Sequence, residues 1–184
     1  MASVTDSDVI AGVVIVEPKA HGDERGRFLE TYRRSWFAEG REMVQANRSD
    51  KEAGSLVGLH YHLHQADYWY VVRGRAQVVL HDLREGSPTE GATETFVLDG
   101  DDDTGVYIPP GVAHGFAALT DITITYQVDR YFDPADELGV AWDDPDIGAQ
   151  WDVDDPILSA RDQTNPRRKD IPPELRPAAT RPAR

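Results

Sequence analysis

The sequence predicts an all-β domain, a sandwich or barrel built from short antiparallel strands. Short runs rich in Val, Ile, Thr and aromatic residues recur between positions 13 and 128, and Gly, Pro and Asp punctuate the gaps between them. No long helical periodicity appears before the C-terminal third of the chain. At 184 residues the chain has the length of one domain with a substantial core.

The predicted strands follow in order along the chain. Residues 1–12 are polar and are expected to be loose. A first strand is expected at 13–16, before Pro18, and a turn at 21–26. A short helix or loop is expected from residue 35. Later strands are predicted by the same apolar and β-branched runs, at 27–32, 43–47, within 54–83, and at 93–98, 106–108, 117–119 and 122–128.

The C-terminal third differs in composition from the strand-rich part. Residues 133–162 are rich in Asp and Trp and are expected to be mostly loop with some helix. Residues 163–184 are rich in Pro and Arg, a composition typical of a solvated, disordered tail. We therefore expect a single domain over 1–162, followed by a tail over 163–184.

Charge and cysteine content restrict the possible partners. The net charge of −14 disfavours a nucleic-acid backbone or an anionic membrane as the partner. A small phosphorylated ligand needs only a few local arginines and stays possible. The chain has no cysteine, no apolar run long enough to span a membrane and no signal-like N-terminal segment, so a cytoplasmic location is expected.

Two stretches, 54–74 and 107–116, carry the residues with the most chemical information. His60 and His62 lie two positions apart on a predicted strand, so both side chains point to the same face. Asp67 enters from the following strand, and His114 comes from the second stretch. Three imidazoles and a carboxylate predict a first-row divalent metal site (Fe, Mn, Ni, Co or Zn) with open positions. The simpler alternative is three interior histidines and an Asp67 that caps a turn.

The spacing of these residues resembles that of two sequence motifs. Gly54, His60-x-His62, Asp67 and Gly74 resemble the first metal motif of the cupin superfamily, in which glutamate stands at the position of Asp67. Pro109-x-Gly111 followed by His114 resembles the second. The resemblance implies a cupin jelly roll.

A longer set of segments resembles one family in particular. DERGRFLETYR, QAN, GLHYH, HDLREGSPTEG, YIPPGVAHGF, YFDP, WDDPDIGAQW and PILSARD occur in the order found in dTDP-4-dehydrorhamnose 3,5-epimerases, over residues 13–162. The resemblance implies a homodimer that exchanges N-terminal strands. It also implies proton abstraction beside the C4 ketone of a thymidine-diphosphate sugar and reprotonation from the other face.

The same resemblance implies roles for individual residues. The family's general base matches His60 and its aspartate partner matches Asp162, a pairing that can hold the pKa of a histidine near working pH. The acid tyrosine matches Tyr131, or is lost if it stands at Phe132. The nucleotide-contacting positions match residues that the chain retains: Arg25, Phe28, Glu30, Gln45 and Asn47.

Three positions depart from the family pattern. The arginine before Gly-Leu-His is Val57, and the lysine that stabilises the enolate oxygen is Asp67. His62 stands where the family has glutamine. The loop between His62 and Asp67 is shorter than the corresponding loop of the family and gives the spacing of the cupin metal motif. These changes favour an epimerase or isomerase of a thymidine-diphosphate 4-keto-6-deoxy sugar that is assisted by a metal. Two alternatives stay open: a metal-dependent cupin lyase, cyclase or dioxygenase acting on another carbonyl compound, and a non-catalytic binding protein.

Overall fold

The computed structural model describes residues 2–37 and 41–179, and within these ranges the chain forms strands and short 3₁₀ helices. The 3₁₀ helices cover Arg34–Trp36, Asp162–Thr164, Arg168–Asp170 and Pro173–Leu175. The strands are β1 (Ser3–Asp6), β2 (Val14–Glu17), β3 (His21–Asp23), β4 (Gly26–Phe28), β5 (Gln45–Lys51), β6 (Leu56–Tyr61), β7 (Asp67–Arg73), β8 (Arg75–Asp82), β9 (Thr93–Asp99), β10 (Gly105–Ile108), β11 (Val112–Ala118), β12 (Ile122–Val128) and β13 (Leu138–Gly139).

The strands form two antiparallel sheets that pack face to face. One sheet has the order β1-β2-β10-β7-β12-β5, and the other has the order β13-β6-β11-β8-β9. β3 and β4 form a separate hairpin. Apolar side chains of β7, β10 and β12 meet those of β8 and β11 in the core between the sheets, among them Val71, Val78, Leu80, Val106 and Ile124. The sandwich predicted from the sequence is therefore present.

Both sheets also bury apolar side chains on their outer faces. The segment before β5 covers one face, where Phe37 packs against Tyr68 and Tyr107. The C-terminal third covers the outer face of the other sheet and packs against Tyr61 and Val79. Burial on both faces explains why β8 and β11 consist largely of apolar residues instead of alternating with polar ones.

The C-terminal segment corrects the expectation of a disordered tail. Ile171 is buried and Leu175 packs beside it against the five-stranded sheet. The backbone N–H of Glu85 donates to the oxygen of Pro177 at 2.9 Å, and the N–H of Ala179 donates to the oxygen of Glu85 at 3.0 Å. Burying a side chain such as that of Ile171 contributes roughly 1.5–3 kcal/mol, and the contacts of Leu175 and the two backbone hydrogen bonds add to this. Residues 180–184 lie outside the described residues.

Smaller differences concern strand boundaries. Residues 3–6, expected to be loose, pair with β2 as β1. The strand expected at 27–32 ends at Phe28. The strand expected at 117–119 begins earlier, at Val112, so His114 lies within a strand. Residues 133–162, expected to be mostly loop with some helix, are largely loop, with the two-residue strand β13 and a 3₁₀ helix that begins only at Asp162. No helix in the described part of the chain is long and apolar enough to cross a membrane.

Candidate active site

A cavity of about 540 Å³ opens between the two sheets and is lined by β5, β6, β7, β11 and β12. The segment 157–162 closes one side of it. The alternation of side chains brings inner-face residues of each strand into this space. The cavity brings together five of the site residues singled out from the sequence: His60, His62, Asp67, His114 and Asp162.

His60 and Asp162 form one hydrogen-bonded pair in this cavity. The distance between His60 Nε2 and Asp162 Oδ1 is 2.6 Å. Asp162 is buried and also accepts a long hydrogen bond from the backbone N–H of Gly58 at 3.4 Å. Burial opposes ionisation of Asp162, but the hydrogen bond to His60 and the charge of that ring outweigh burial and lower the pKa of the carboxyl. Asp162 is therefore held as a carboxylate, which orients the imidazole.

His62, Asp67 and His114 form a second, deeper group. All three side chains are buried, and one ligand-type atom of each lies within 4.8 Å of the others. Asp67 Oδ1 lies 3.7 Å from His62 Nε2, and Asp67 Oδ2 lies 3.9 Å from His114 Nε2. Burial lowers the pKa of His114, so this ring is neutral near pH 7.

The structure thus divides the four residues expected to bind one metal into a group of three and a separate histidine. His60 is not part of the compact group, because its Nε2 is bonded to Asp162. Sequence spacing placed all four on one side of the sandwich but carried no information about Asp162, which lies 102 residues further along the chain.

Hydrogen bonds from the surrounding loops hold the deeper group in place. The Asp136 side chain accepts from the backbone N–H groups of Leu63, His64 and Gln65 and so shapes the short turn between β6 and β7. The Trp69 indole N–H donates to Asp67 Oδ2 at 3.2 Å. Neither Asp136 nor Trp69 was singled out from the sequence, and we find no local signal that could have identified Asp136.

Two cationic side chains, Lys51 and Arg161, line the cavity. Val57 lines the cavity where the family has arginine. Lys51 reaches the same cavity from the inner face of β5, which also carries Gln45, Asn47 and Ser49. Arg161 lines it too but pairs with Glu137 at 3.1 Å. Period-two alternation along β5 was the signal that could have identified Lys51.

Two tyrosines occupy different places relative to His60. Tyr131 is 74% exposed and borders a separate surface cavity together with His64 and Arg130. Tyr126, on the inner face of β12, lines the cavity that contains His60. Burial raises the pKa of Tyr126, and the nearby Asp67 and Glu137 raise it further. Tyr126 was not singled out from the sequence, although the inward alternation of β12 marks it.

The nucleotide-contacting residues implied by the resemblance lie in two separate places. Gln45 and Asn47 are hydrogen-bonded to each other on the inner face of β5, in line with the cavity. Arg25, Phe28 and Glu30 lie in or just after the β3–β4 hairpin, outside the cavity lining, and Phe28 is 69% exposed. Within one described chain these two sets do not share a pocket.

The two antiparallel sheets form a jelly-roll sandwich, and the histidine–carboxylate pair in its cavity has the chemistry of a general acid or base. A family model described as dTDP-4-dehydrorhamnose 3,5-epimerase matches residues 7–170. The chain belongs to this family.

Known relatives agree with the family assignment. A dTDP-4-dehydrorhamnose 3,5-epimerase of Methanothermobacter thermautotrophicus is 39% identical over 161 residues, which cover 83% of this chain and 87% of the relative. A dTDP-4-dehydrorhamnose 3-epimerase of Streptomyces niveus is 40% identical over 162 residues, covering 84% and 78%.

A crystal structure of the epimerase RmlC from Legionella pneumophila, in complex with dTDP-4-keto-L-rhamnose, superposes with a TM-score of 0.92. It is 31% identical, and the match covers 98% of this chain and 100% of that one. The all-β jelly-roll fold, the family and the isomerase class predicted from the sequence are confirmed.

Proposed function

We propose that this chain epimerises a thymidine-diphosphate 4-keto-6-deoxy sugar, with His60 as the base that removes a proton beside the C4 ketone. The observation that supports this most directly is the 2.6 Å contact between His60 and buried Asp162 at the cavity wall. A carboxylate behind an imidazole holds it in one tautomer and stabilises the imidazolium that forms when the ring accepts a proton.

The tautomer follows from the partners. Ionised Asp162 can only accept, so His60 Nε2 carries the hydrogen and donates it. The other ring nitrogen, Nδ1, then has a free lone pair. Proton transfer to Nδ1 breaks the C–H bond and leaves the electron pair as an enolate shared between the carbon and the C4 oxygen. Return of a proton to the opposite face, from a tyrosine hydroxyl, completes the inversion.

Tyr131 and Tyr126 are the candidates for that acid. The resemblance assigns the role to Tyr131, which would have to move from its exposed position to reach the cavity. Tyr126 already lines the cavity that contains His60, so its hydroxyl needs no movement of a loop to reach a substrate bound there. We favour Tyr126 for this reason.

The nucleotide subsite is proposed to form between two copies of the chain. Gln45 and Asn47 lie on the same face of β5 as Ser49 and Lys51, which line the cavity, whereas Arg25, Phe28 and Glu30 lie in or after the β3–β4 hairpin. A symmetric homodimer brings the hairpin of one copy to the cavity of the other. β1 supports this arrangement, because it is the fully exposed edge of its sheet and remains open to pairing. The homodimer and the cytoplasmic location stay predictions.

The position on the sugar is proposed from what the relatives' names share. The relatives are named 3,5-epimerase or 3-epimerase, so C3 is common to both groups. We therefore propose C3 as the first carbon to be inverted, with C5 as a second step to be tested.

Solvent-deuterium exchange tests the proposal directly. The nucleotide sugar is incubated with enzyme in D₂O, and loss of the proton signals at C3 and C5 is followed by NMR. We expect exchange at C3 with the native chain and a roughly 10²- to 10⁴-fold slower rate with His60→Gln. His64→Gln is the matched control, since its side chain is exposed and borders a different cavity. Binding of the nucleotide sugar without exchange at either carbon would contradict the proposal.

A further inference from the structure

The hydrogen bonds of two buried histidines determine which of their nitrogens face the cavity. His62 Nδ1 lies 2.7 Å from the backbone oxygen of Asp136, and His114 Nδ1 lies 3.0 Å from the backbone oxygen of Val112. A carbonyl oxygen can only accept, so both Nδ1 atoms carry the hydrogen. In the neutral form of either ring the Nε2 atom is then an acceptor.

Three acceptors consequently converge on one point. The Nε2 atoms of His62 and His114 both face the carboxylate of Asp67, at 3.7 Å and 3.9 Å. The Gln65 amide donates to His62 Nε2 at 3.2 Å and to Asp67 Oδ1 at 2.9 Å. No donor to His114 Nε2 is found in the described chain. The Gln65 amide and the Trp69 indole N–H satisfy part of the Asp67 carboxylate, but the lone pair of His114 Nε2 faces that carboxylate directly, an arrangement that a positive charge between them would stabilise.

The spacing suits a metal ion. With bonds of about 2.0–2.1 Å and a tetrahedral angle, neighbouring ligand atoms lie about 3.4 Å apart. The observed separations of 3.7 Å and 3.9 Å, each to a different oxygen of Asp67, exceed this by a few tenths of an ångström. The ligand atoms of all three residues lie within 4.8 Å of one another, so side-chain rotations are needed to close the group around an ion. The two Nδ1–H donations to backbone oxygens are also the outer contacts that orient metal-bound histidines in proteins.

We propose that His62, Asp67 and His114 bind one first-row divalent ion, and that His60 is not among its ligands. Two imidazole nitrogens and one carboxylate leave at least one coordination position open, toward the cavity. The exclusion of His60 from the ligands matters because its Nε2 is bonded to Asp162 and its Nδ1 stays free to act as a base.

The charge of the site indicates what such an ion would do. Asp67 stands where the family has a lysine, so the group carries one negative charge in place of one positive charge. Glu137 adds no free charge, because it is paired with Arg161. A dication would restore a net charge of about +1 and could act as a Lewis acid toward a carbonyl oxygen. This role rests on the proposed function, but the binding of the ion does not.

Metal binding by the full-length chain, purified without an affinity tag, tests the proposal in the absence of substrate. Metal content is measured by elemental analysis. The chain is then stripped with chelator and titrated with Co²⁺ while its visible absorption is recorded, and with Zn²⁺ by calorimetry. We expect one ion per chain. Asp67→Asn and His114→Gln should each weaken binding by more than about 100-fold.

His60→Gln is the variant that separates the three-residue site from a four-residue site. We expect it to bind Co²⁺ with the native affinity and the same spectrum, and His64→Gln to do likewise. Circular dichroism and thermal unfolding show that each variant is folded. Gln65→Leu perturbs the group of His62, Asp67 and His114 without removing a ligand. Absence of stoichiometric binding would overturn the proposal. Binding that survives Asp67→Asn and His114→Gln, or that is lost equally in His60→Gln, would overturn it too.

Discussion

His60 and His114 lie directly opposite each other in the register of β6 and β11, yet their rings face different carboxylates. His60 is hydrogen-bonded to Asp162 at 2.6 Å, whereas His114 Nε2 lies 3.9 Å from Asp67 Oδ2, which is too far for a hydrogen bond. Opposite residues of an antiparallel pair share one face of the sheet. One strand pair therefore presents the proposed base and one of the proposed metal ligands to the same cavity, side by side.

Replacement of Asp162 tests the role of His60 as the proton acceptor. Asp162→Asn keeps the size of the side chain but removes the charge that stabilises the His60 imidazolium, so we expect kcat to fall by roughly 10²- to 10⁴-fold. The affinity for thymidine diphosphate should change little, since the carboxylate faces the histidine. Steady-state kinetics and calorimetric titration of the nucleotide measure the two effects. An equal loss of affinity and turnover would indicate a structural role instead.

A mixture of two defective chains tests the shared nucleotide subsite. One chain carries Arg25→Ala and Phe28→Ala, and the other carries His60→Gln. Random pairing places half of the chains in mixed dimers, each with one intact site, so about a quarter of the native activity should return at subsaturating substrate. Each variant alone serves as the control. Activity that stays at the sum of the separate variants would mean that each chain builds its site alone.

Asp82 is expected to govern acid stability at a distance from the cavity. Its fully buried carboxylate accepts hydrogen bonds from Arg84, Ser87 and Thr89. Burial alone would raise the pKa of Asp82, but these bonds outweigh burial and lower it to about 2. Because the folded pKa lies below the unfolded value of about 3.9, the carboxylate contributes about 2 kcal/mol above pH 4. This contribution is lost as the pH falls toward 2.

Urea unfolding at several pH values measures this effect. Asp82→Asn should lower the free energy of unfolding at pH 7 by about 3 kcal/mol, because it leaves the largely buried Arg84 without its partner. The variant should also lose part of the native decline in stability between pH 4 and pH 2. Unchanged stability at pH 7 would show that the Arg84–Asp82 pair is replaceable.

The two tyrosines give opposite expectations for the proton donor. Tyr126→Phe removes a hydroxyl from the cavity, so we expect a roughly 10²-fold or greater loss of kcat with little change in fold. Tyr131→Phe should be milder, since the ring is exposed in this structure. Turnover and deuterium incorporation are measured for both variants. The reverse order would show that the loop carrying Tyr131 closes over the substrate.

The fold could be predicted from the sequence because strands and turns leave local signals. The apolar runs of β8 and β11 and the alternation of β12 identify strands without any long-range information. The covering of the outer faces could not be predicted in this way. Ile171 and Leu175 are two apolar residues in a Pro- and Arg-rich segment, and their burial depends on a sheet face formed by residues far earlier in the chain.

In the candidate site, too, local sequence signals predicted some features, whereas others depend on residues far apart in the chain. His62, Asp67 and His114 come together as the motif spacing predicted, because β6 and β11 are neighbours in one sheet and β7 faces them from the other sheet. The role of His60 as a fourth member of that group depended on the direction of its ring, which Asp162 determines from a distant 3₁₀ helix. The resemblance, and not the spacing, had pointed to Asp162. Lys51 and Tyr126 were overlooked because alternation marks a face but not what that face contacts.

Removal of the proposed ion tests whether the group of His62, Asp67 and His114 assists the proton transfer at His60. An enolate that forms beside an ionised, uncompensated Asp67 is repelled, so we expect deuterium exchange at C3 to slow by roughly 10²- to 10³-fold after treatment with chelator. Exchange should recover when Zn²⁺ or Co²⁺ is added back. Asp67→Asn should be slow under both conditions, because it no longer holds the ion, and His60→Gln should be slow although it keeps the ion. If exchange stays fast in protein that elemental analysis shows to be metal-free, the positive charge must come from another group. Lys51 is then the residue to replace, since it is a cation that lines the same cavity.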